Sequence, residues 1–180
     1  MRIVSGRLKG IRFSIPKKFP SRPTTDFAKE ALFNILQHSI DIEDMSVLDL
    51  FAGTGNISYE FASRYAKKVV SVEQNYSCIK FMREMIKQHE MDAITPNQAE
   101  VFSYLNASTE TFDLIFADPP YDFKKYPELV KIILEQNKLK EGGLFILEHG
   151  KEWGFSDVKH FSYLRNYGGV QFSFFEIENE

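Results

Sequence analysis

The residues of this chain best suited to chemistry form the tetrapeptide Asp118-Pro119-Pro120-Tyr121. It directly follows an apolar run, FDLIFA (112–117), which is typical of a buried β-strand. Two consecutive prolines fix two backbone φ angles and hold the aspartate extended, so the loop is expected to be rigid. In open α/β sheets, ligands bind at the carboxyl ends of the strands, and this loop follows such an end.

A carboxylate and a backbone carbonyl on such a loop suit a reaction at a planar nitrogen. The lone pair of an exocyclic amine on a base is delocalised into the ring, so the amine is a poor nucleophile. When the amine attacks a methyl carbon, the nitrogen becomes tetrahedral and positive, and acceptors of its N–H bonds stabilise that charge more than the ground state. We predict these roles for Asp118 and the Pro119 carbonyl. We also predict that Tyr121 stacks on a flipped base, which contributes about 1–3 kcal/mol.

A second motif, DLFAGTG (49–55), overlaps the first predicted strand, VLDLF (47–51). Gly53 and Gly55 allow the backbone to turn tightly and to approach a ligand. The motif lacks the third glycine of a dinucleotide fingerprint and the lysine of a phosphate-binding P-loop. Glu73, at the end of the second predicted strand, suits both hydroxyls of a ribose.

The acidic residues of these two segments favour a cationic ligand over a pyrophosphate. S-adenosylmethionine combines a ribose with sulfonium and ammonium groups, so we predict it as the cofactor. The alternative is that Asp49 caps a turn and Glu73 is a surface residue. The predicted cofactor contacts are Asp49, Phe51, Ala52, Gly53, Gly55, Glu73 and Gln74, with Gln98 and Ala99 in an adenine-contacting loop.

The elements that must position these motifs alternate along the chain. Strands are predicted at 47–51, 68–73, around 93–95, 112–117 and 143–148, and helices near 57–65, over Cys78–His89 and near 127–136. This alternation predicts an α/β fold of the Rossmann-like class I methyltransferase type, with a mostly parallel seven-stranded sheet. The C-terminal segment 161–177 is predicted to form two strands joined across Gly168-Gly169, an antiparallel hairpin at the sheet edge.

The first 45 residues are expected to form a basic arm, a hairpin plus a helix, ahead of a methyltransferase domain at 46–180. Residues 2–14 are predicted to form the hairpin, and Asp26 is a suitable N-cap for the helix. The whole chain has a net charge of −3, but residues 1–30 contain eight basic and two acidic side chains, a local net charge of +6. A basic arm is compatible with a nucleic-acid partner, and charge alone fits a solvated surface hairpin equally well.

Composition argues against several other classes of protein. The single Cys78 rules out an internal disulfide, and the four scattered histidines show no metal-ligand spacing, so no metal site is predicted. No apolar run approaches the length of a membrane span, and the first residues do not resemble a signal peptide. We therefore expect a cytoplasmic protein without a membrane partner.

The sequence resembles the RsmD family, which methylates the N2 amine of a guanosine in small-subunit (16S) ribosomal RNA. The resemblance runs nearly end to end and lies in RIVSGRLKGIRF (2–13), RPTTD (22–26) followed by EALFN (30–34), DLFAGTG, Glu73 and DPPY. DPPY is shared with adenine-N6 enzymes, whereas the arm and RPTTD are the specific part.

The resemblance implies a ribosomal RNA substrate, within an assembled or immature 30S particle, and a monomeric enzyme. It implies phosphate contacts by Arg2, Arg7, Lys9 and Arg12, and a junction between cofactor and RNA lined by Arg22, Thr24, Thr25 and Asp26. Two features depart from the family. Phe27 and Lys29 stand where family members often carry arginines, and the loop around Gln98 lacks the usual acidic residue, so an amide would contact the adenine.

Three other functions stay open at this point. An adenine-N6 methyltransferase acting on DNA or RNA is one, although such enzymes usually add a target-recognition domain for which 180 residues leave no room. A glutamine-modifying protein methyltransferase is another, but it more often shows Asn at position 118. The third is a non-catalytic assembly factor that binds the cofactor and RNA, against which the intact DPPY argues.

Overall fold

A computed structural model of the protein describes residues 1–15 and 26–178. Seven strands form one sheet in the order β3-β2-β1-β4-β5-β7-β6, with helices packed on its faces. In chain order the elements are α1 (Asp26–Ser39), β1 (Ser46–Leu50), α2 (Asn56–Ser63), β2 (Lys68–Glu73), α3 (Tyr76–Gln88), β3 (Ile94–Gln98), α4 (Val101–Ala107), β4 (Phe112–Ala117), α5 (Tyr126–Glu135), β5 (Leu139–His149), β6 (Phe161–Tyr167) and β7 (Val170–Glu176).

The sheet is mostly parallel, as predicted. β1 pairs in parallel with β2 on one side and with β4 on the other. β2 in turn pairs in parallel with β3, and β4 pairs in parallel with β5. Only β7 runs antiparallel to its neighbours, β5 and β6. β6 and β7 are joined across Gly168-Gly169, and Gly168 has a φ of 62°, which glycine adopts without strain. The α/β fold class and the C-terminal hairpin are therefore confirmed.

The structure differs from the predicted elements at several boundaries. The first strand ends at Leu50 rather than at 51, because Phe51 has a φ of 61° and turns the chain out of the sheet. The weak third strand extends to Gln98 and contains Pro96, which an edge strand tolerates. The short helix α4 was not predicted. It has only seven residues, and Glu100 caps it by accepting hydrogen bonds from two backbone amides.

The arm packs into the same hydrophobic core as one face of the sheet. Residues 1–15 form a tight hairpin with a single antiparallel bridge, between Arg2 and Arg12. Ile3, Leu8 and Phe13 are buried in a cluster that also contains residues of α1, α2 and β1. Hairpin, helix and sheet therefore share one core. The segment 16–25, which includes the predicted irregular stretch 16–23, lies outside the described residues.

The hairpin lies directly against the end of α2. The carbonyl oxygen of Ser63 accepts a hydrogen bond from the Arg7 amide, 2.7 Å, and its hydroxyl donates to the Ser5 carbonyl, 2.6 Å. Gly6 has a φ of 81°, and a Cβ there would lie 1.9 Å from the Ser63 carbonyl oxygen. Only glycine fits this approach.

A buried polar cluster joins the arm, α1 and α2. Glu60 accepts hydrogen bonds from the backbone amides of Val4, 2.9 Å, and Ser5, 3.0 Å. Lys29 donates to Asn56 Oδ1, 2.9 Å, and to the Arg2 carbonyl. The Lys29 ammonium is therefore buried against protein acceptors and does not lie on the surface.

Among the described residues, no helix combines the length and the apolar character needed to cross a bilayer.

Candidate active site

A cavity of about 1000 Å³ opens at the carboxyl ends of the parallel strands. The loops that follow β1, β2, β3, β4 and β5 all contribute to its wall, and Gly169 and Val170 of the C-terminal hairpin complete it. This is the position at which open α/β sheets bind ligands. The cavity has room for a cofactor and for part of a second substrate.

The cavity brings together both sets of chemically important residues predicted from the sequence. Those that line it are Asp118, Pro119, Pro120 and Tyr121 of the catalytic motif, and Asp49, Phe51, Ala52, Gly53, Glu73, Gln74 and Ala99 of the cofactor set. Gly55 and Gln98 do not line it. Gly55 precedes α2 with a φ of 89°, and Gln98 is an exposed residue at the end of β3. Their predicted roles would therefore have to be indirect.

The glycine-containing loop is fixed by Glu73. One carboxylate oxygen of Glu73 accepts a hydrogen bond from the Gly53 amide, 3.0 Å, and the other accepts from the Asn75 amide, 2.7 Å. Each oxygen retains a second lone pair for a ligand. Glu73 therefore connects the loops after β1 and β2 and still presents acceptors to the cavity.

Asp49 is held in the floor of the cavity by a hydroxyl pair. It is 1% exposed and accepts a hydrogen bond from the hydroxyl of Ser58, which lies 2.7 Å from the hydroxyl of Ser71. Burial raises the pKa of Asp49 to about 7, the Ser58 hydrogen bond opposes this rise, and Asp118 and Glu73 add to it. A cation placed here would favour the carboxylate form.

The loop of the catalytic motif is closed by its own backbone. The Phe123 amide donates to the Pro120 carbonyl, 2.9 Å. Among the described residues none donates to the Pro119 carbonyl, so this oxygen is open to a donor in the cavity. Tyr121 is 87% exposed at the cavity mouth. Carboxylate, carbonyl and ring thus belong to one short rigid loop.

Aromatic side chains form the wall beside this loop. The Phe123 ring lies 5.2 Å from the Phe51 ring and 5.0 Å from the Tyr126 ring, centroid to centroid, both edge-to-face. All three residues line the cavity. This wall offers an apolar surface to a planar group that enters the cavity at Tyr121.

Glu148 is a cavity residue that the sequence interpretation missed. It is 7% exposed, and its Oε2 is buried without a hydrogen-bond partner among the described residues. Burial and the nearby Asp118 raise its pKa above the ordinary range of a carboxyl group. Its signal in the sequence was its place at the end of the apolar run GLFILE (143–148), since β5 ends at the same sheet edge as β1 and β4.

The cavity is strongly acidic in its lining. Five carboxylate residues line it, and no Lys or Arg lines it within the part of the chain that the structure describes. An anionic ligand such as a phosphate would meet repulsion here, whereas a cation would be stabilised. The five residues are Asp49, Glu73, Glu100, Asp118 and Glu148.

The predicted RNA-contacting residues lie outside this cavity. Arg7, Lys9 and Arg12 are exposed, and Arg7 donates to the Glu90 carbonyl, 3.0 Å. Arg2 is half-buried and forms an ion pair with Glu30, 2.5 Å. Asp26 is the first residue of α1, rather than the residue before it. Arg22, Thr24 and Thr25 are outside the described residues.

Comparison with known proteins identifies related sequences and folds. The family model described as conserved hypothetical protein 95 matches residues 1–176. YlbH of Bacillus subtilis (strain 168) is 34% identical over 156 residues, which cover 84% of this chain and 84% of that protein. The ribosomal RNA small subunit methyltransferase D of Haemophilus influenzae is 30% identical over 165 residues, covering 84% of this chain and 80% of that enzyme. The solved structure of yhhF from Escherichia coli superposes with a TM-score of 0.86 at 24% identity, covering 100% and 99% of the two chains, a likeness of fold.

Proposed function

The chain belongs to the RsmD family, and from this membership we propose that it transfers a methyl group from S-adenosylmethionine to the N2 amine of a guanosine in small-subunit ribosomal RNA. The observation that carries the proposal is the meeting of two motifs in one cavity. Asp118 of the catalytic loop and Asp49 and Glu73 of the cofactor loops line the same space.

The lining of the cavity fits S-adenosylmethionine. Its carboxylates suit a ligand with sulfonium and ammonium groups, and the same charges disfavour a dinucleotide or a nucleoside triphosphate. We assign Glu73 to the ribose hydroxyls and Asp49 to the positively charged part of the cofactor. When bound, this cofactor supplies a methyl group activated by the positive sulfur.

The DPPY loop would then act on the amine. Asp118 and the Pro119 carbonyl accept the two N–H bonds of N2 and orient its lone pair towards the methyl group. As positive charge develops on the nitrogen, both acceptors stabilise it more than they stabilise the neutral amine. Asp118 is also placed to receive the proton that N2 must lose. Tyr121 and Phe123 hold the base between ring surfaces.

The basic hairpin would hold the RNA backbone. Lys9 and Arg12 are exposed and make no ion pair with the described residues, so they are available to phosphates. We assign residues 1–45 to this RNA-contacting role and 46–180 to cofactor binding and catalysis. We expect the enzyme to act as a monomer in the cytoplasm, on ribosomal RNA within a 30S particle.

Methyl transfer from labelled cofactor tests the proposal directly. Ribosomal RNA, immature small subunits, DNA and protein are each offered to the wild type and to Asp118→Ala. We expect label only in the RNA of the small subunit, recovered as N2-methylguanosine, and a loss of about 100-fold or more in the variant. Transfer to DNA alone, or recovery of N6-methyladenosine, would refute the proposed guanine-N2 target in ribosomal RNA. Transfer to none of the four substrates would refute the proposal that the protein is a methyltransferase.

A further inference from the structure

Asp118 and Glu148 occupy equivalent positions at the carboxyl ends of two neighbouring parallel strands, β4 and β5. Ala117 of β4 pairs with Leu147 of β5, and the two acidic residues come next on each strand. Phe116 and Ile146, two residues earlier, are also paired, so both acids project from the same face of the sheet. Neighbouring strands lie about 4.8 Å apart. The two carboxyl groups are therefore adjacent in the wall of the cavity.

Glu148 is more buried than Asp118, and among the described residues one of its oxygens has no hydrogen-bond partner. It is 7% exposed, whereas Asp118 is half-buried, and its buried Oε2 has no partner among the described residues. A buried carboxyl oxygen without a partner destabilises a protein unless a ligand supplies a donor. The neighbouring His149 does not fill this role, since its ring nitrogens contact the Gly150 carbonyl, 2.9 Å, and the Ser173 hydroxyl, 2.7 Å.

The position of Glu148 beside Asp118 points to a particular atom of the base. A flipped base enters a pocket with its sugar at the mouth, where the exposed Tyr121 lies. With the N2 amine at Asp118, the adjacent donor on the Watson–Crick edge of guanine is N1–H, and Glu148 is the acceptor beside Asp118. We propose that Glu148 accepts the N1–H of the target guanine and is thereby the residue that selects guanine from other purines. This inference rests on the function proposed above.

The contact between Glu148 and N1–H would distinguish guanine from purines in which the ring nitrogen beside the amine carries no hydrogen. In adenine and in 2-aminopurine, N1 is a lone pair that would face the carboxylate oxygen, whereas in guanine it is a donor. Asp118 from β4 and Tyr126 from α5 face Glu148, and neither carries a positive charge. Burial beside Asp118 raises the pKa of Glu148, so guanine binding displaces a proton and the preference for guanine increases with pH.

Replacement of the target guanine by 2-aminopurine tests the inference. This base keeps the 2-amine but lacks N1–H. Once the methylated guanosine has been mapped, RNA with either base at that position is compared in single-turnover methylation at mildly alkaline pH. We expect the wild type to methylate guanine at least about 10-fold faster than 2-aminopurine, because the buried acceptor is left unpaired by the analogue. In Glu148→Gln, whose amide can donate or accept, the ratio should fall to about 3-fold or less.

A matched control is Glu152→Gln, which removes a carboxylate from an exposed position in the loop after β5. It should keep the wild-type ratio. Equal methylation of the two bases by the wild type overturns the inference and leaves the proposed function intact. A ratio in Glu148→Gln that equals the wild-type ratio overturns it as well. If guanine itself is not methylated, the proposed function fails, and the inference fails with it.

Discussion

Lys29 and Glu60 form an ion pair, with 3.6 Å between Nζ and Oε2, in which neither side chain has exposed surface. Burial lowers the pKa of Lys29, and Glu60 and Asp26 oppose that change. The pair belongs to the buried cluster that joins the arm, α1 and α2. Its neighbour Asn56 also lines the cavity, so the cluster connects the arm to the cofactor loop.

Removal of one member of this pair should destabilise the protein strongly. We expect Lys29→Met to lower the free energy of unfolding by about 2–3 kcal/mol. Glu60 keeps only Arg64 as a cationic partner, and the Arg2 carbonyl and Asn56 Oδ1 lose their donor. Urea denaturation at neutral pH measures the change. The double variant Lys29→Met/Glu60→Gln should lose less than the sum of the two single variants. A loss below about 1 kcal/mol for Lys29→Met would contradict a buried, ionised pair.

The pKa of Asp49, raised to about 7 by burial, predicts a pH dependence of cofactor binding. A cationic cofactor favours the carboxylate form of Asp49. Below pH 7, where Asp49 is mostly protonated in the free protein, binding must therefore displace a proton. Affinity should therefore rise with pH by up to about tenfold per unit below 7 and level off above it. Isothermal titration calorimetry with S-adenosylmethionine in two buffers of different ionisation enthalpy should also detect the released proton.

Two variants test the source of this dependence. Asp49→Asn should bind weakly with a flat pH profile, since the titrating group is absent. Ser58→Ala removes the hydrogen bond that lowers the pKa of Asp49, so its midpoint should move to higher pH. If the logarithm of the wild-type affinity does not change between pH 6 and 8, Asp49 does not change its protonation state on binding.

Glu73 should control cofactor affinity rather than the chemical step. Glu73→Ala removes the proposed ribose contact and both backbone hydrogen bonds that fix the loops. We expect the Kd for S-adenosylmethionine to rise about 10- to 100-fold, with kcat at saturating cofactor changed only a few-fold. The exposed Glu84 of α3 provides a control, and Glu84→Gln should leave both quantities unchanged. A variant with normal Kd would exclude Glu73 from the ribose site.

Charge reversal in the hairpin should weaken RNA binding without affecting the cofactor. We expect the double variant Lys9→Glu/Arg12→Glu to reduce the slope of log affinity against log salt by about 1–2, as expected from the loss of two phosphate contacts. Filter binding over a range of salt concentrations measures this slope. Lys131→Glu on α5, a helix that packs on the opposite face of the sheet, should leave it unchanged. An unchanged slope in the hairpin variant would mean that the hairpin has only a structural role.

The sequence predicted those parts of the fold and site that depend on local patterns. The strands 68–73 and 112–117 were placed to the residue, because their apolar runs have sharp polar boundaries. Glu73 and Asp118 were predicted to lie at the cavity because one ends such a run and the other follows one, and Asp49 because it begins the glycine-containing motif 49–55. The helix α4 was missed because seven residues with two buried side chains leave almost no periodic signal.

Other features depend on tertiary pairing, which a local pattern does not determine. Glu148 ends an apolar run, but its place beside Asp118 depends on the register between β4 and β5, which one strand alone does not reveal. The burial of Lys29 likewise follows from the docking of the arm on α2. In its own helix it sits among residues of mixed polarity, and the sequence analysis counted it only as one of the basic residues of the arm.

The docking of the hairpin on α2 sets an order of events during synthesis of the chain. Val4 and Leu8 are made early, yet the side chains that bind their amides lie 56 and 55 residues further along. At a synthesis rate of about 5–20 residues per second, these partner side chains are made roughly 3–11 s after the hairpin. Throughout that interval it is an undocked, basic segment whose apolar side chains have no core to enter. The position of the first residues is thus determined by residues that are synthesised later. A ligand that bound the nascent hairpin would therefore delay folding of the whole domain.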